Sequence, residues 1–249
     1  MNNIIISVTS IPNRFNNELI QVLKHIRQIT DLMIVVSIPT NYRKSWTYTD
    51  QDLQELRKLD RVIVNIIDAD WGPATKLLGG IDYIKKHNLD IDTIITIDDD
   101  IIFGQPDKII NGLIETAKTR PNEIITSGGL KAHKPPYESG NGLDGVQNQY
   151  SHTVAGFMGV LYPKSFFISP TLFDLFAEVT DDFYSEDDAY FGAVAQRLNT
   201  KIWSTPHNSS FKSISQFSGV RVGYNMLRKQ RDNMIWKYLL DNNFIDPNK

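Results

Sequence analysis

Cysteine is absent from the chain. That excludes disulfides, thiolate metal centres and cysteine nucleophiles. A basic excess is also missing: 26 Lys and Arg stand against 29 Asp and Glu, a formal net charge of -3. A broad non-specific nucleic-acid surface needs such an excess, so none is expected. Long apolar runs are lacking too. Residues 32–36 and 62–67 are among the longest, far short of a bilayer span. The leading Met1, Asn2 and Asn3 carry no basic stretch followed by an apolar one. No secretion signal is expected on that ground, and a cytoplasmic setting is the default. What remains is an ordinary globular composition over 249 residues, enough for one large domain or two small ones at roughly 150 residues each.

The first half alternates between two hydrophobic periods. Residues 4–8 form a short β-branched run, and Leu19, Val22, Leu23 and Ile26 follow at helical spacing. Residues 32–38 form a second run, stopped by Pro39. Thr49 with Asp52 three residues on has the form of a capping box, ahead of Leu53, Leu56 and Leu59. Strands over 61–67, 93–97 and 123–126 then alternate with helices opened by Pro73 and Pro106. Five such alternations predict an α/β fold, a mostly parallel sheet with helices on both faces. Sheets of this kind bind ligands beyond the carboxyl ends of their strands. The second half reads differently. Residues 127–153 are rich in Gly, Pro, Asn and Ser and predict a long functional loop. Residues 154–162 predict a strand, 187–198 a helix, 201–204 a short strand and 226–240 a last helix. No repeat or clean linker appears, so one domain with an elaborated C-terminal half is expected.

Asp98, Asp99 and Asp100 close the fourth apolar run. Three adjacent carboxylates repel one another unless a cation is present. Their oxygens suit Mg²⁺ or Mn²⁺, and Mg²⁺ takes one or two protein carboxylates with phosphate and water completing its shell. Strand alternation predicts Asp98 and Asp100 on one side and Asp99 on the other. Thr75 and Lys76 fall in the first turn of the helix after Pro73, where helix terminus and ammonium together attract a diphosphate or a sugar hydroxyl.

An apolar strand ending in D-x-D, about 100 residues into a βα-alternating chain, resembles the nucleotide-sugar glycosyltransferases of the GT-A fold. Asp70, Gly72, Pro73, Ala74, Thr75, Lys76 and Leu77 resemble a D-x-G-P-A-T-K-L segment of bacterial and viral members, and the Asp…Leu-Thr-x-Lys segment of inverting β1,3-glycosyltransferases. Asp187, Asp188 and Gly192 resemble the Glu-Asp-x-x-x-Gly of the latter group. The resemblance implies a nucleotide-binding half over 1–126 and an acceptor-binding half over 127–249. It implies nucleotide contacts from Thr9, Ser10 and Arg14, and donor contacts from Asp70, Thr75, Lys76, Asp98, Asp99, Gly156 and Phe157. It implies Mn²⁺ or Mg²⁺ on Asp98, Asp100 and His207, a UDP-sugar donor and a glycan or other hydroxyl acceptor. Aligned on Gly192, Asp188 is the general base and the product inverts. A one-residue shift makes Asp187 the base, and a retaining reaction needs a different arrangement. Tyr137, Trp71, Trp203 and Phe157 are candidates to stack on sugar faces. Two other classes remain open. A sugar-phosphate nucleotidylyltransferase shares the sheet and the metal, but residues 8–14 lack the Gly-rich loop it uses. A non-catalytic sugar- or nucleotide-binding module would have a degenerate site, whereas the acidic triplet and Lys76 are intact. Arg228, Lys229 and Arg231 form a basic helix face that suits solvent, or weak contact with an anionic membrane surface.

Overall fold

The computed structural model describes residues 3–132, 143–173, 187–206, 210–215, 237 and 241. The first half runs β1 (Ile4–Thr9), α1 (Ile20–Arg27), β2 (Met33–Pro39), α2 (Asp50–Arg57), β3 (Val62–Ile67), α3 (Thr75–Lys86), β4 (Thr93–Thr96), β5 (Ile101–Phe103), α4 (Pro106–Thr119) and β6 (Ile124–Thr126). There follow β7 (Gly129–Ala132), β8 (Leu143–Val146), β9 (Gln149–Ser151), β10 (Thr153–Val154), β11 (Val160–Pro163), α5 (Lys164–Phe167), α6 (Asp187–Arg197), β12 (Ile202–Ser204) and β13 (Phe211–Ser213). The central sheet has the order β3-β2-β1-β4-β11-β6-β12-β9. Its first four strands are parallel neighbours. β11 inserts antiparallel between β4 and β6, β12 returns parallel to β6, and β9 closes the edge antiparallel. The protein is therefore an α/β fold on a mostly parallel sheet.

Strand alternation explains the two apolar layers. Ile5, Val35 and Ile94 turn to one face, where they pack with Leu77, Leu78 and Ile81 of α3 and with Phe191 and Val194 of α6. Ile6, Val36 and Ile95 turn to the other, against Val22 and Leu23 of α1, Leu53 and Leu56 of α2 and Leu113 of α4. Both faces are covered, so the strands read as continuous apolar runs rather than alternating ones. Among the described residues no helix is long and apolar enough to cross a membrane.

Glycine sets how closely two of these helices approach. A Cβ on Gly80 would lie 2.6 Å from Ser7 Oγ, so α3 rests almost directly on β1. Asn65 on β3 donates to the Gly79 carbonyl at 3.1 Å, which satisfies a polar group otherwise stranded in that seam. On α6, a Cβ at Gly192 would meet the His152 carbonyl at 2.6 Å. The α2 capping box is present, with the Thr49 N–H donating to Asp52 Oδ2 at 2.7 Å.

Two expectations are corrected. Residues 154–162 are not one strand: β10 ends at Val154, a 3-10 turn covers Gly156–Met158, and β11 begins at Val160. Gly159, at φ 88, makes that break, a backbone state open to glycine at little cost. Nor is the described part of 127–153 a structureless loop, because β7, β8 and β10 form an antiparallel sheet and β9 joins the central sheet; residues 133–142 lie outside the described residues. The helix expected over 226–240, with Arg228, Lys229 and Arg231, lies outside the described residues apart from Lys237.

Candidate active site

β1 pairs with β2 on one side and with β4 on the other. The chain thus leaves β1 and β4 in opposite directions, and sheets of this kind place their ligand crevice at such a switch point, beyond the carboxyl ends of the strands. Residues after β1, β3 and β4 converge there, joined by the first described turn of α6.

Lys76 is the centre of one cluster. Pro73 lies in a 3-10 turn, Gly72–Ala74, that runs into α3 and places Lys76 in its first turn. The ammonium lies 2.8 Å from Asp98 Oδ1 and 3.0 Å from Asp187 Oδ2, with only 5% of the residue exposed. Burial works against its charge. Asp187, Asp98 and Asp188 outweigh that and hold Lys76 more firmly protonated than a free lysine. Asp188 Oδ1 accepts the Gly156 N–H at 2.9 Å. A Cβ on Gly156 would stand 2.6 Å from that oxygen and 2.7 Å from Lys76 Nζ, so the position has no room for a side chain. Burial, then the charge of Asp187, push the Asp188 carboxyl well above the usual carboxylate range, while Lys76 opposes them. Beneath it, the buried Tyr162 hydroxyl hydrogen bonds with Thr96, and burial keeps that phenol protonated.

Arg14 is the centre of the second cluster. Its Nη1 donates to Asp99 Oδ1 at 2.7 Å, and its Nη2 lies 3.3 Å from Asp100 Oδ2 and 3.0 Å from Ser215 Oγ. Ser10 Oγ donates to Asp99 Oδ2 at 2.5 Å, and the Tyr42 hydroxyl donates to the Ser10 carbonyl at 2.6 Å. Burial raises Asp99 to about 6, against the pull of Arg14. The expected alternation across the triplet does not hold. Asp98 faces Lys76, whereas Asp99 and Asp100 share Arg14. β4 ends at Thr96 and the triplet is a turn leading to β5, and a period of two belongs to extended chain alone.

The other sequence candidates among the described residues have structural partners of their own. Asp70 accepts two backbone N–H groups, from Arg43 at 2.8 Å and Gly72 at 2.9 Å, and so pins the loop that carries Lys76. Thr75 Oγ1 accepts the Trp71 N–H at 3.1 Å. Thr9 Oγ1 donates to the Ser37 carbonyl at 2.8 Å, tying the end of β1 to β2. Phe157 packs edge-on against Phe211, with ring centroids 5.2 Å apart. Trp71 packs against Phe173, and Trp203 lies under the Arg120 guanidinium, 3.5 Å from its centroid. His207 and Tyr137 lie outside the described residues. Tyr42 and Ser215 escaped the sequence reading. Tyr42 follows β2 at its carboxyl end, a position that could have flagged it. Ser215 reaches Arg14 through the pairing of β13 with β5, for which the sequence holds no signal.

Five carboxylates, Asp98, Asp99, Asp100, Asp187 and Asp188, thus face two cations, Lys76 and Arg14. No cage of three or more acidic or histidine side chains occurs among the described residues. The side chains of Asp98 and Asp100 are 28% and 14% exposed, Asp98 meeting Lys76 and Asp100 meeting Arg14. That donor set fits a hard divalent ion held by one or two carboxylates and completed by phosphate and water.

No protein-family model matches the chain, and no curated protein does. Among solved structures it is similar to S. aureus TarS, at 11% identity and a TM-score of 0.49, over 83% of this chain and 36% of that one. It is also similar to S. aureus TarS 1-349, at 10% identity and a TM-score of 0.47, over 83% of this chain and 59% of that one. The chain spans less than two thirds of the length of either structure.

Proposed function

We propose that the protein is a metal-assisted GT-A glycosyltransferase, moving a sugar from a UDP-sugar to an acceptor hydroxyl with inversion. The observation that carries this reading is the meeting of three segments far apart in sequence. Lys76, Asp98 and the Asp187–Asp188 pair form one cluster at the switch point, with Lys76 and Asp187 buried and Asp98 and Asp188 half-buried. Those are the segments on which the sequence resembles GT-A enzymes.

Each residue then has a distinct task. Asp98 and Asp100 would hold Mn²⁺ or Mg²⁺, which supplies Lewis-acid stabilisation of the diphosphate leaving group when bound. Arg14 holds Asp99 and Asp100 in place and offsets part of their repulsion. Lys76 fixes Asp98 against Asp187 and so ties the acidic turn to α6. Asp188 takes the proton of the attacking hydroxyl. Asp188 accepts a neutral backbone N–H, whereas Asp187 is engaged by the Lys76 ammonium, which makes the Asp187 carboxylate the poorer proton acceptor. That contrast favours the alignment on Gly192 over the one-residue shift. Ser10, Thr9 and Asp70 shape the nucleotide side of the crevice.

The test is UDP release from a panel of UDP-sugars with Mn²⁺, read alongside thermal stabilisation by UDP. Wild type should release UDP slowly without an acceptor and faster with one. Absence of release from every donor, with no stabilisation by any nucleotide, would remove the proposal.

A further inference from the structure

We propose that Phe157 and Phe211 together form a platform for one pyranose ring of a neutral glycoside acceptor. Its acceptor role rests on the reading of Asp188 as the base. Phe211 is 45% exposed, and Phe157, half-buried, presents its ring at 65° to it with centroids 5.2 Å apart. One exposed aromatic is ordinary on a protein surface. These two are in contact, and the backbone beneath Phe211 is fixed at both ends. Gly104 donates to the Ser210 carbonyl at 2.7 Å, and Ile214 donates to the Asp100 carbonyl at 2.8 Å. Between those bonds β13 pairs with β5, Phe211 opposite Phe103. Arg14 holds the next residue, Ser215, at 3.0 Å. A ring on so constrained a strand loses little freedom when a ligand covers it.

Position gives the platform its occupant. Phe157 follows Gly156, whose N–H is held by Asp188 of α6, so the turn that carries the aromatic ring is bonded one residue earlier to the base carboxylate. A hexopyranose has an apolar C–H face, which a phenyl ring covers without needing a hydrogen bond, and a polar rim, which carboxylates can accept from. The carboxylate excess in the crevice also selects. It repels an acceptor carrying its own negative charge, so a neutral sugar is favoured over a uronic acid.

The experiment is ligand-observed NMR on the whole chain with UDP and the diamagnetic Mg²⁺ present. The probes are methyl β-D-glucopyranoside, methyl β-D-galactopyranoside and methyl N-acetyl-β-D-glucosaminide, with methyl β-D-glucuronide as the charged control. At least one neutral glycoside should bind wild type, and more tightly than the glucuronide. Phe211→Ala should weaken it about fivefold or more, while Phe211→Tyr keeps it. Stabilisation by UDP should be the same in all three proteins. Equal binding by Phe211→Ala and wild type overturns the platform, as does failure of wild type to bind any neutral probe. Should UDP fail to stabilise wild type while glycoside binding still depends on Phe211, the donor reading fails and the sugar site stands.

Discussion

Asp187 and Asp188 are neighbours with opposite surroundings. Asp187 is 3.0 Å from the Lys76 ammonium. Asp188 accepts a backbone N–H and is driven toward the protonated form by burial and by Asp187. Their amide variants should therefore separate. Asp188→Asn should lower transfer about a hundred- to ten-thousandfold, with UDP binding unchanged. Asp187→Asn should reduce stability by about 2 kcal/mol, the scale of a hydrogen bond to a charged group. It should also move the acidic limb of the rate–pH profile to lower pH, because one of the charges raising Asp188 has gone. Initial rates and thermal melts on both variants check this, and the reverse pattern would make Asp187 the base. Asp99 gives a second prediction, in chelator. Its carboxyl is raised from 3.8 to about 6, so the folded state keeps a proton that the unfolded chain releases. The stability this confers is complete below pH about 4 and is lost as pH rises through about 6, roughly 3 kcal/mol in all. Asp99→Asn cannot titrate. Its unfolding free energy should gain on wild type between pH 4 and 7, and parallel curves would refute the shift. The residue types of the site were legible because carboxylates after an apolar strand and a Lys after Gly-Pro are chemically conspicuous. Their partners were not. That Arg14 faces the triplet depends on β1 lying beside β4, and adjacency between strands so far apart in sequence is set by packing.

The elements carry these side chains to one place through close contacts that leave no space for a methyl group. α3 approaches β1 at Gly80, and Lys76 lies one turn earlier on the same helix. Gly80→Ala would drive a Cβ to 2.6 Å from Ser7 Oγ, and α3 would have to lift. Overpacking of this kind costs about 1–3 kcal/mol. The displacement should also loosen Lys76 from Asp98 and Asp187, so UDP stabilisation should weaken along with the melting temperature. Gly112, with open space where its Cβ would be, is the control. Gly112→Ala on the α4 surface should leave both unchanged or raise stability slightly, as removal of a helical glycine does. An equal loss in both variants would show that the effect is general to helix substitution. The alternating elements of the first half were readable because each buries an apolar face, except β5, whose three residues follow the acidic turn and are too short to show a period. The later strands were not. β7, β9 and β10 are two to four residues long and carry one Gly, Ser or Thr each, so pairing partners rather than periodicity decide that they are strands.

Charge acts over the whole crevice. Among the described residues, an anionic diphosphate entering beside Asp98, Asp99, Asp100, Asp187 and Asp188 meets Lys76 and Arg14 in compensation, and both are already engaged with carboxylates. UDP alone should therefore bind weakly. Mn²⁺ alone should bind weakly as well, because its protein ligands number one or two. Each supplies what the other lacks, and linkage requires their mutual effect to be reciprocal. Thermal stabilisation by UDP and Mn²⁺ together should exceed the sum of the two separate shifts. Asp100 is the position at which to remove that synergy. Arg14 keeps Asp99 when Asp100 is changed, and the repulsion between Asp99 and Asp100 is relieved, so Asp100→Asn should stay folded with an unfolding free energy within about 2 kcal/mol of wild type. The same variant should reduce the joint shift to the sum of the separate ones. Additive shifts in wild type, or synergy that survives in Asp100→Asn, would place the cation away from the acidic turn.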